Sequence, residues 1–288
     1  MRKFRIIYDE PGQSCNRFWS YVSSISWALE NDGIVYVLFW DRNFEDFDKL
    51  FLKSEIIKFP FYNKMLWNFH VGSCYLYRSL FSKTVGHPIM RLKYREWYKS
   101  GGKYNFVSGW KTRGSTNYCQ YTEVFKQLFR PNDNVVNKVD SLFEQIRHDF
   151  DFIIGIHIRR GDYKDYRDGI YYYSHEQYKK KMDELLELYK EGRNVCFFIA
   201  SNEKVPIDVF TGLKFFIIPN ASMAEDLYAL SKCDCLVGPS STFTRWVSFI
   251  EKIPLYYIFD IRKEINGHTV FTPIHDFFHF ENGDTLPF

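Results

Sequence analysis

Residues 152–163 read Phe-Ile-Ile-Gly-Ile-His-Ile-Arg-Arg-Gly-Asp-Tyr. The opening run, Phe152 to Ile156, is apolar and rich in β-branched side chains. It predicts a strand buried on both faces, as in a parallel sheet. The run stops at His157-Ile158-Arg159-Arg160-Gly161-Asp162. Two adjacent arginines after a buried strand are costly unless an anion meets them. Ligands of open α/β sheets bind at the carboxyl ends of the strands, and the planar fork of an arginine suits phosphate oxygens. A phosphate-bearing ligand is one reading of the pair. Surface arginines bridging to Asp162 and Asp165 are the other. Arg160-Gly161-Asp162 also spells an adhesion tripeptide, but a tripeptide recurs by chance.

Working outward, strands and helices alternate at the spacing of a parallel, doubly wound sheet. On the carboxyl side a long loop runs from Gly161 to Tyr173, and loops of this length are commonly functional. Ser174 with Gln177 three residues on predicts a capping box. A helix then runs to Lys190 and ends at Gly192. Strands are expected at Val195–Ala200, Phe215–Ile218, Cys235–Gly238 and Leu255–Phe259, with helices at Met223–Cys233 and Ser241–Glu251. On the amino side, Phe4–Tyr8 and Ile34–Phe39 predict strands. Phe18, Val22, Ile25, Ala28 and Leu29 mark a helix from Asn16 to Leu29. Asn105 to Trp110 reads as a strand ending at a turn. Tyr118, Tyr121, Phe125 and Phe129 suit an aromatic helix that Arg130-Pro131 stops. Asp133 to Phe150 predicts a helix linking two domains, 1–132 and 133–288. Residues 41–117 are otherwise the least patterned, with basic positions at Arg91, Lys93, Arg95 and Lys99.

Composition sets outer bounds. A chain of 288 residues with 45% apolar side chains builds one large α/β domain or two modest ones. A net charge of +3 is too small to argue for nucleic acid. The six cysteines are scattered, and Cys233-Asp234-Cys235 is too tight for a zinc knuckle. They read as buried thiols of a reducing compartment. No apolar run has the length of a signal peptide or a membrane span, so a cytoplasmic protein is expected.

A second constellation is Gly238-Pro239-Ser240-Ser241-Thr242-Phe243, where a strand ends, hydroxyls follow and a helix begins. Free N–H groups and the helix dipole favour an anion there. Read alone, the same serines are ordinary helix caps.

His157-x-Arg159-Arg160-Gly161-Asp162-Tyr163 resembles the HxRRGDY signature of α1,2-fucosyltransferases, shared more loosely with α1,6- and protein O-fucosyltransferases. Glu225-Asp226-Leu227 through Ser240-Ser241-x-Phe243-x-x-Trp246 resembles the family segment ending in SSFSWW. Ala200-Ser201-Asn202-Glu203 resembles its polar strand end. The likeness covers roughly residues 150–260 and is weak over the first 130, where the turn before Asn16 matches a family stretch only at Gly12 and Asn16. Pro239 and Arg245 depart from the family pattern. The resemblance implies a GT-B-like α/β fold of two Rossmann-like domains. The first domain would bind the acceptor and the second the GDP-sugar. It implies an inverting, metal-independent transfer of fucose from GDP-fucose to a glycan hydroxyl, in α1,2 linkage, with no cofactor and no metal ligand. Arg159 would hold the β-phosphate, and Arg160 the loop or the second phosphate. His157 and Asp226 would read the guanine or its ribose, and Asn202 would lie near the ribose. Ser240, Ser241 and Thr242 would complete the phosphate cradle, with Asn16 on the facing turn. Asp162, Asp165, Asp168 and Glu10 are the candidate bases. Two alternatives stay open: a GDP- or glycan-binding protein of the same fold without turnover, and a glycosyltransferase using another nucleotide sugar. A metal-dependent enzyme would place an Asp-x-Asp after a strand. Asp46-Phe47-Asp48 and Asp149-Phe150-Asp151 have the spacing, but the second precedes its strand.

Overall fold

The computed structural model describes residues 2–7, 12–37, 45–59, 103–112 and 118–286. The chain divides into two compact units, Met1–Arg130 and Pro131–Phe288.

In the first unit, β1 (Lys3–Ile7), α1 (Ser14–Glu30) and β2 (Gly33–Val37) form the expected βαβ opening. With β3 (Ile57–Lys58) and β4 (Tyr104–Val107) they make a parallel sheet of order β3-β2-β1-β4. The spacing of α1 predicts one apolar face, yet the helix is buried nearly all round. Ser20, Ser23, Ser24 and Ser26 are inside with Phe18, Val22 and Ile25. Small hydroxyls make this tolerable. Ser20 and Ser26 donate back to the carbonyls of Arg17 and Val22. The strand expected to end at a turn within Asn105–Trp110 does so, stopping at Val107. A helical turn, α2 (Gly109–Thr112), follows because the Ser108 carbonyl accepts from the Lys111 and Thr112 amides. The aromatic segment is α3 (Thr122–Leu128), with Tyr118 and Phe125 buried. Arg91, Lys93, Arg95 and Lys99 lie outside the described residues.

The second unit starts at Pro131. Its first helix, α4 (Asp133–Asp149), is capped by Asn132, whose Oδ1 accepts from the Val135 amide at 3.0 Å. This helix, expected to link two domains, begins just after the boundary between the two units and buries Val139 and Phe143, with the Phe143 ring edge-on to Phe198 and Phe216 of its own unit's sheet. That sheet comprises β5 (Phe152–Ile158), β6 (Val195–Ser201), β7 (Phe215–Phe216), β8 (Cys235–Gly238) and β9 (Leu255–Tyr257). All pairings are parallel and the order is β7-β6-β5-β8-β9. Three helices connect them: α5 (His175–Tyr189), α6 (Met223–Leu230) and α7 (Thr242–Glu251). Capping boxes start α5 at Ser174/Gln177 and α6 at Ser222/Glu225. The apolar run of β5 lies at the centre, as its unbroken hydrophobicity requires: Ile153, Ile154, Ile156 and Ile158 are all buried. Strand order reverses at β5, so the crevice between the ends of β5 and β8 is the topological switch point. Among the described residues no helix is long and apolar enough to cross a membrane.

Candidate functional site

Both sequence constellations meet at that switch point. Arg159 and Arg160 leave β5, while Pro239, Ser240 and Ser241 leave β8. The two arginines, alike in sequence and equally buried, have different partners. Arg160 donates through Nε to Glu203, Nη1 to the Tyr173 carbonyl, and Nη2 to the Tyr172 hydroxyl at 2.7 Å, with the Tyr172 ring 4.4 Å away. Its backbone N–H donates to Asn202 Oδ1 at 2.9 Å. Arg160 therefore ties the loop at both ends: Tyr172 and Tyr173 close it, and the polar end of β6 receives the rest. Arg159 donates through Nη2 to Asp162 at 2.9 Å and lies 5.6 Å from the centre of the Tyr163 ring. Asp162 is half exposed. This partner can yield to a stronger anion more readily than the carbonyl and carboxylate around Arg160.

The loop itself folds into two short 3₁₀ turns, Gly161–Lys164 and Tyr166–Gly169. Arg167, Asp168 and Gly169 hold φ of 50°, 57° and 73° in succession. Two consecutive non-glycine residues in the left-handed region store backbone strain. Asp168 is exposed there. Gly161, φ +38°, approaches Asn202 so closely that a Cβ would sit 2.7 Å from its Nδ2.

His157 is buried beneath this loop and stacks on Phe243 of α7, ring centroids 5.0 Å apart. Burial, then the Arg159 charge, lowers its pKa to about 3, so the imidazole is neutral. Its Nδ1 is buried with no hydrogen-bond partner among the described residues. Gly238 makes the approach possible: a Cβ there would lie 2.9 Å from the His157 carbonyl oxygen. Asp226, in the first turn of α6, is raised to about 7 by burial and then by neighbouring Glu225. Glu225 is itself bound by Lys138 at 2.6 Å and by the Ser222 cap. Ser241 caps α7, its Oγ accepting from the Phe243 amide at 3.2 Å, and Thr242 begins the helix. Arg245, where the sequence departs from the resembled pattern, is buried. Its Nη1 donates to the Phe277 carbonyl at 2.9 Å and holds the C-terminal segment against α7.

The structure thus brings His157, Arg159, Arg160, Asn202, Ser240, Ser241 and Thr242 to one sheet edge, with Asp226 on the next helix of the same unit. Asp162 and Asp168 are on the loop above. Asn16 lies in the first turn of α1 in the other unit. Glu10 lies outside the described residues. Both Asp-x-Asp pairs have local structural roles: Asp48 accepts from Lys53, Asp149 from His148, and Asp151 from the Asn194 amide. Among the described residues no three His, Cys, Asp or Glu side chains converge as a metal site. Sequence reasoning gave Glu203, Phe243 and Tyr257 no part. The first two stand inside quoted motifs, whereas nothing in the local sequence marks Tyr257.

The model of glycosyl transferase family 11 matches residues 51–258. The chain belongs to glycosyltransferase family 11. Solved fucosyltransferases share its fold, a GT-B-like pair of Rossmann units. NodZ from Bradyrhizobium is 17% identical, with a TM-score of 0.60 over 95% of this chain and 99% of that one. A NodZ α1,6-fucosyltransferase soaked with GDP-fucose is 18% identical at 0.58, covering 95% and 100%. FUT1 of Arabidopsis thaliana, in complex with GDP, is 13% identical at 0.58, covering 99% and 78%. No curated protein matches this family 11 chain at the level of sequence. The family 11 match spans both constellations and makes the protein a glycosyltransferase.

Proposed function

We propose that this glycosyltransferase moves fucose from GDP-fucose to a hydroxyl of an oligosaccharide, in α1,2 linkage, with inversion and without a metal. One observation carries the reading: an arginine with a yielding partner and an open helix start flank the same switch point, Arg159 on one side and Ser240–Thr242 on the other. Solved relatives of this fold were crystallised with GDP or soaked with GDP-fucose.

In this reading Arg159 and the Ser240–Thr242 turn hold the β-phosphate. Neutral His157 and Asp226 face the guanine, and Asn202 the ribose edge. Arg160 holds the loop rather than a phosphate, because all of its guanidine nitrogens are engaged within the protein. As the bond between fucose C1 and the phosphate oxygen breaks, charge grows on the β-phosphate, and fixed donors aimed at it lower the barrier. The acceptor oxygen attacks C1 from the opposite face, and its proton passes to a carboxylate. Asp168 suits that step better than Asp162, since Asp162 is already an acceptor for Arg159. Asp168→Asn should lower kcat by about 10²–10⁴-fold with little change in GDP affinity.

The test is incubation with GDP-fucose and a glycan panel, read by product mass, linkage analysis and GDP release, with and without excess EDTA. Transfer that survives EDTA is expected. Activity abolished by EDTA and restored by manganese would overturn the metal-free mechanism. GDP binding with no product from any nucleotide sugar would leave a binding protein instead.

A further inference from the structure

The loop that follows the two arginines is fixed at both ends and strained in the middle. At its start Tyr163 donates its hydroxyl to the Ser240 carbonyl at 2.7 Å. That turn is itself held by Tyr257, which donates to the Ser241 carbonyl at 2.7 Å. At the far end of the loop Arg160 holds the Tyr172 hydroxyl and the Tyr173 carbonyl. Between these anchors Arg167 and Asp168 both take left-handed backbone, with φ of 50° and 57°. Neither side chain gains burial from it, since both are exposed. Strain of this kind persists where the surrounding structure imposes it, and it gathers at ligand clamps.

What the bend presents is an aromatic ring. Tyr163, Tyr171 and Tyr173 of this loop are buried, whereas Tyr166, next to the strained pair, is 46% exposed. Its ring leans on Tyr163, with centroids 5.1 Å and planes 32° apart. The Tyr163 ring in turn lies 5.6 Å from the Arg159 guanidinium. One buried ring therefore separates Tyr166 from the arginine proposed for the β-phosphate. The attacking sugar must reach C1 of the fucose, the carbon bonded to that phosphate, so one sugar separates it from Arg159 in the same way. The Arg167 guanidinium, exposed, lies 5.8 Å from the Tyr166 ring, and the carboxylates of Asp165 and Asp168 are exposed on either side of it in sequence. A half-exposed ring flanked by charged donors and acceptors suits a pyranose: its C–H face covers the ring, and its hydroxyls meet the charges.

We propose that Tyr166 is the platform on which the attacking pyranose of the acceptor stacks, held by the strained loop at one ring's distance from Arg159. The inference rests on the proposed transfer and deepens it, by naming a residue that sets the affinity for the acceptor. Tyr163 carries the platform and does not touch the acceptor.

The test compares Tyr166→Ala and Tyr166→Phe in the full chain. The acceptor is the glycan that gives product in the panel, and GDP is the probe of the donor side, measured by calorimetry. Tyr166→Ala should raise the acceptor KM about tenfold, the effect of uncovering one ring face, and leave the GDP Kd and the GDP-fucose KM within about twofold of wild type. Tyr166→Phe keeps the ring and should keep the acceptor KM. A wild-type acceptor KM in Tyr166→Ala would overturn the inference and leave the proposed transfer standing. Equal losses for GDP and acceptor would overturn it too, because the ring would then serve the nucleotide or only the folding of the loop. Equal losses in the Ala and Phe variants would assign the effect to the hydroxyl and overturn the stacking. If no glycan gives product, retention of the protein on the glycan array with GDP present is the readout. Retention that Tyr166→Ala loses would support the platform in a protein without turnover; retention that it keeps, or none in the wild type, would overturn the inference. Wild-type protein that binds no GDP would overturn the donor site and this inference together.

Discussion

At the scale of single residues, the adjacent arginines are the sharpest contrast. Arg159→Ala removes charge-assisted bonds worth about 1.5–3 kcal/mol each, so GDP binding should weaken roughly ten- to a hundredfold. Loss of its ion pair with Asp162, which is half exposed, should by itself cost little stability. Arg159→Lys should rescue little, since a point charge cannot reproduce a planar fork. Arg160→Ala should do the reverse: faster proteolysis within 161–173 and a lower Tm, as Glu203 and the Tyr173 carbonyl lose their donor. Equal effects of the two variants on GDP affinity and on Tm would refute the division. Asp226 gives a pH signature. Its folded pKa, about 7, lies above its ordinary 3.8. Below about pH 4 both folded and unfolded chains carry the proton, and stability is unaffected. As pH rises towards about 7 the unfolded chain ionises first, so stability falls, then levels off. Asp226→Asn should therefore match wild type below about pH 4 and melt higher at about pH 8. Guanine N–H donors favour the ionised carboxylate. GDP binding near pH 6–7 should thus release protons, which calorimetry in buffers of different ionisation enthalpy detects, and Asp226→Asn should abolish that release.

At the scale of elements, the site depends on how closely β8 approaches β5. A Cβ on Gly238 would lie 2.9 Å from the His157 backbone oxygen and 3.0 Å from its Cβ. Backbone in a central strand cannot swing aside as a side-chain tip can. Gly238→Ala should cost about 1–3 kcal/mol of stability and weaken GDP binding more than a cap variant of equal cost. Ser174→Ala, which loses the cap of α5 at about 1 kcal/mol, is that control. The elements were largely legible in the sequence. Continuous apolar runs marked β5, β6 and β8, and the Ser174/Gln177 and Ser-Ser-Thr signals marked two helix starts. What stayed hidden is tertiary. Nothing local tells that Val139 and Phe143 of α4 pack on their own unit's sheet. The strand ending at a turn within Asn105–Trp110 is borne out, β4 stopping at Val107 before the turn that the Ser108 carbonyl begins. The site followed the same rule. His157, Arg159, Ser240 and Ser241 stand in compact motifs, but the work of Arg160 depends on Glu203, 43 residues away.

At the scale of the whole molecule, the residues proposed for the nucleotide are concentrated in one unit. His157, Arg159, Asn202, Asp226 and Ser240–Thr242 all belong to Pro131–Phe288, together with the complete five-stranded sheet that positions them. The core beneath the site, including Ile156, Tyr163, Tyr178, Phe197, Val237 and Ile258, is drawn from this unit too. A domain of this size buries enough surface to fold alone. The excised segment 131–288 should therefore give a cooperative melt and bind GDP within about tenfold of the full chain, a difference of about 1.4 kcal/mol. It should transfer no fucose, because the proposed acceptor side, with Glu10, is in the unit removed, as is Asn16 of the proposed phosphate cradle. The measurement is calorimetry with GDP on both proteins, beside circular dichroism to establish that the segment has folded. A folded segment that fails to bind GDP while the full chain binds it would show that the nucleotide needs side chains from residues 1–130. The donor site would then have to be redrawn to include them, and the assignment of donor and acceptor to separate units would fall.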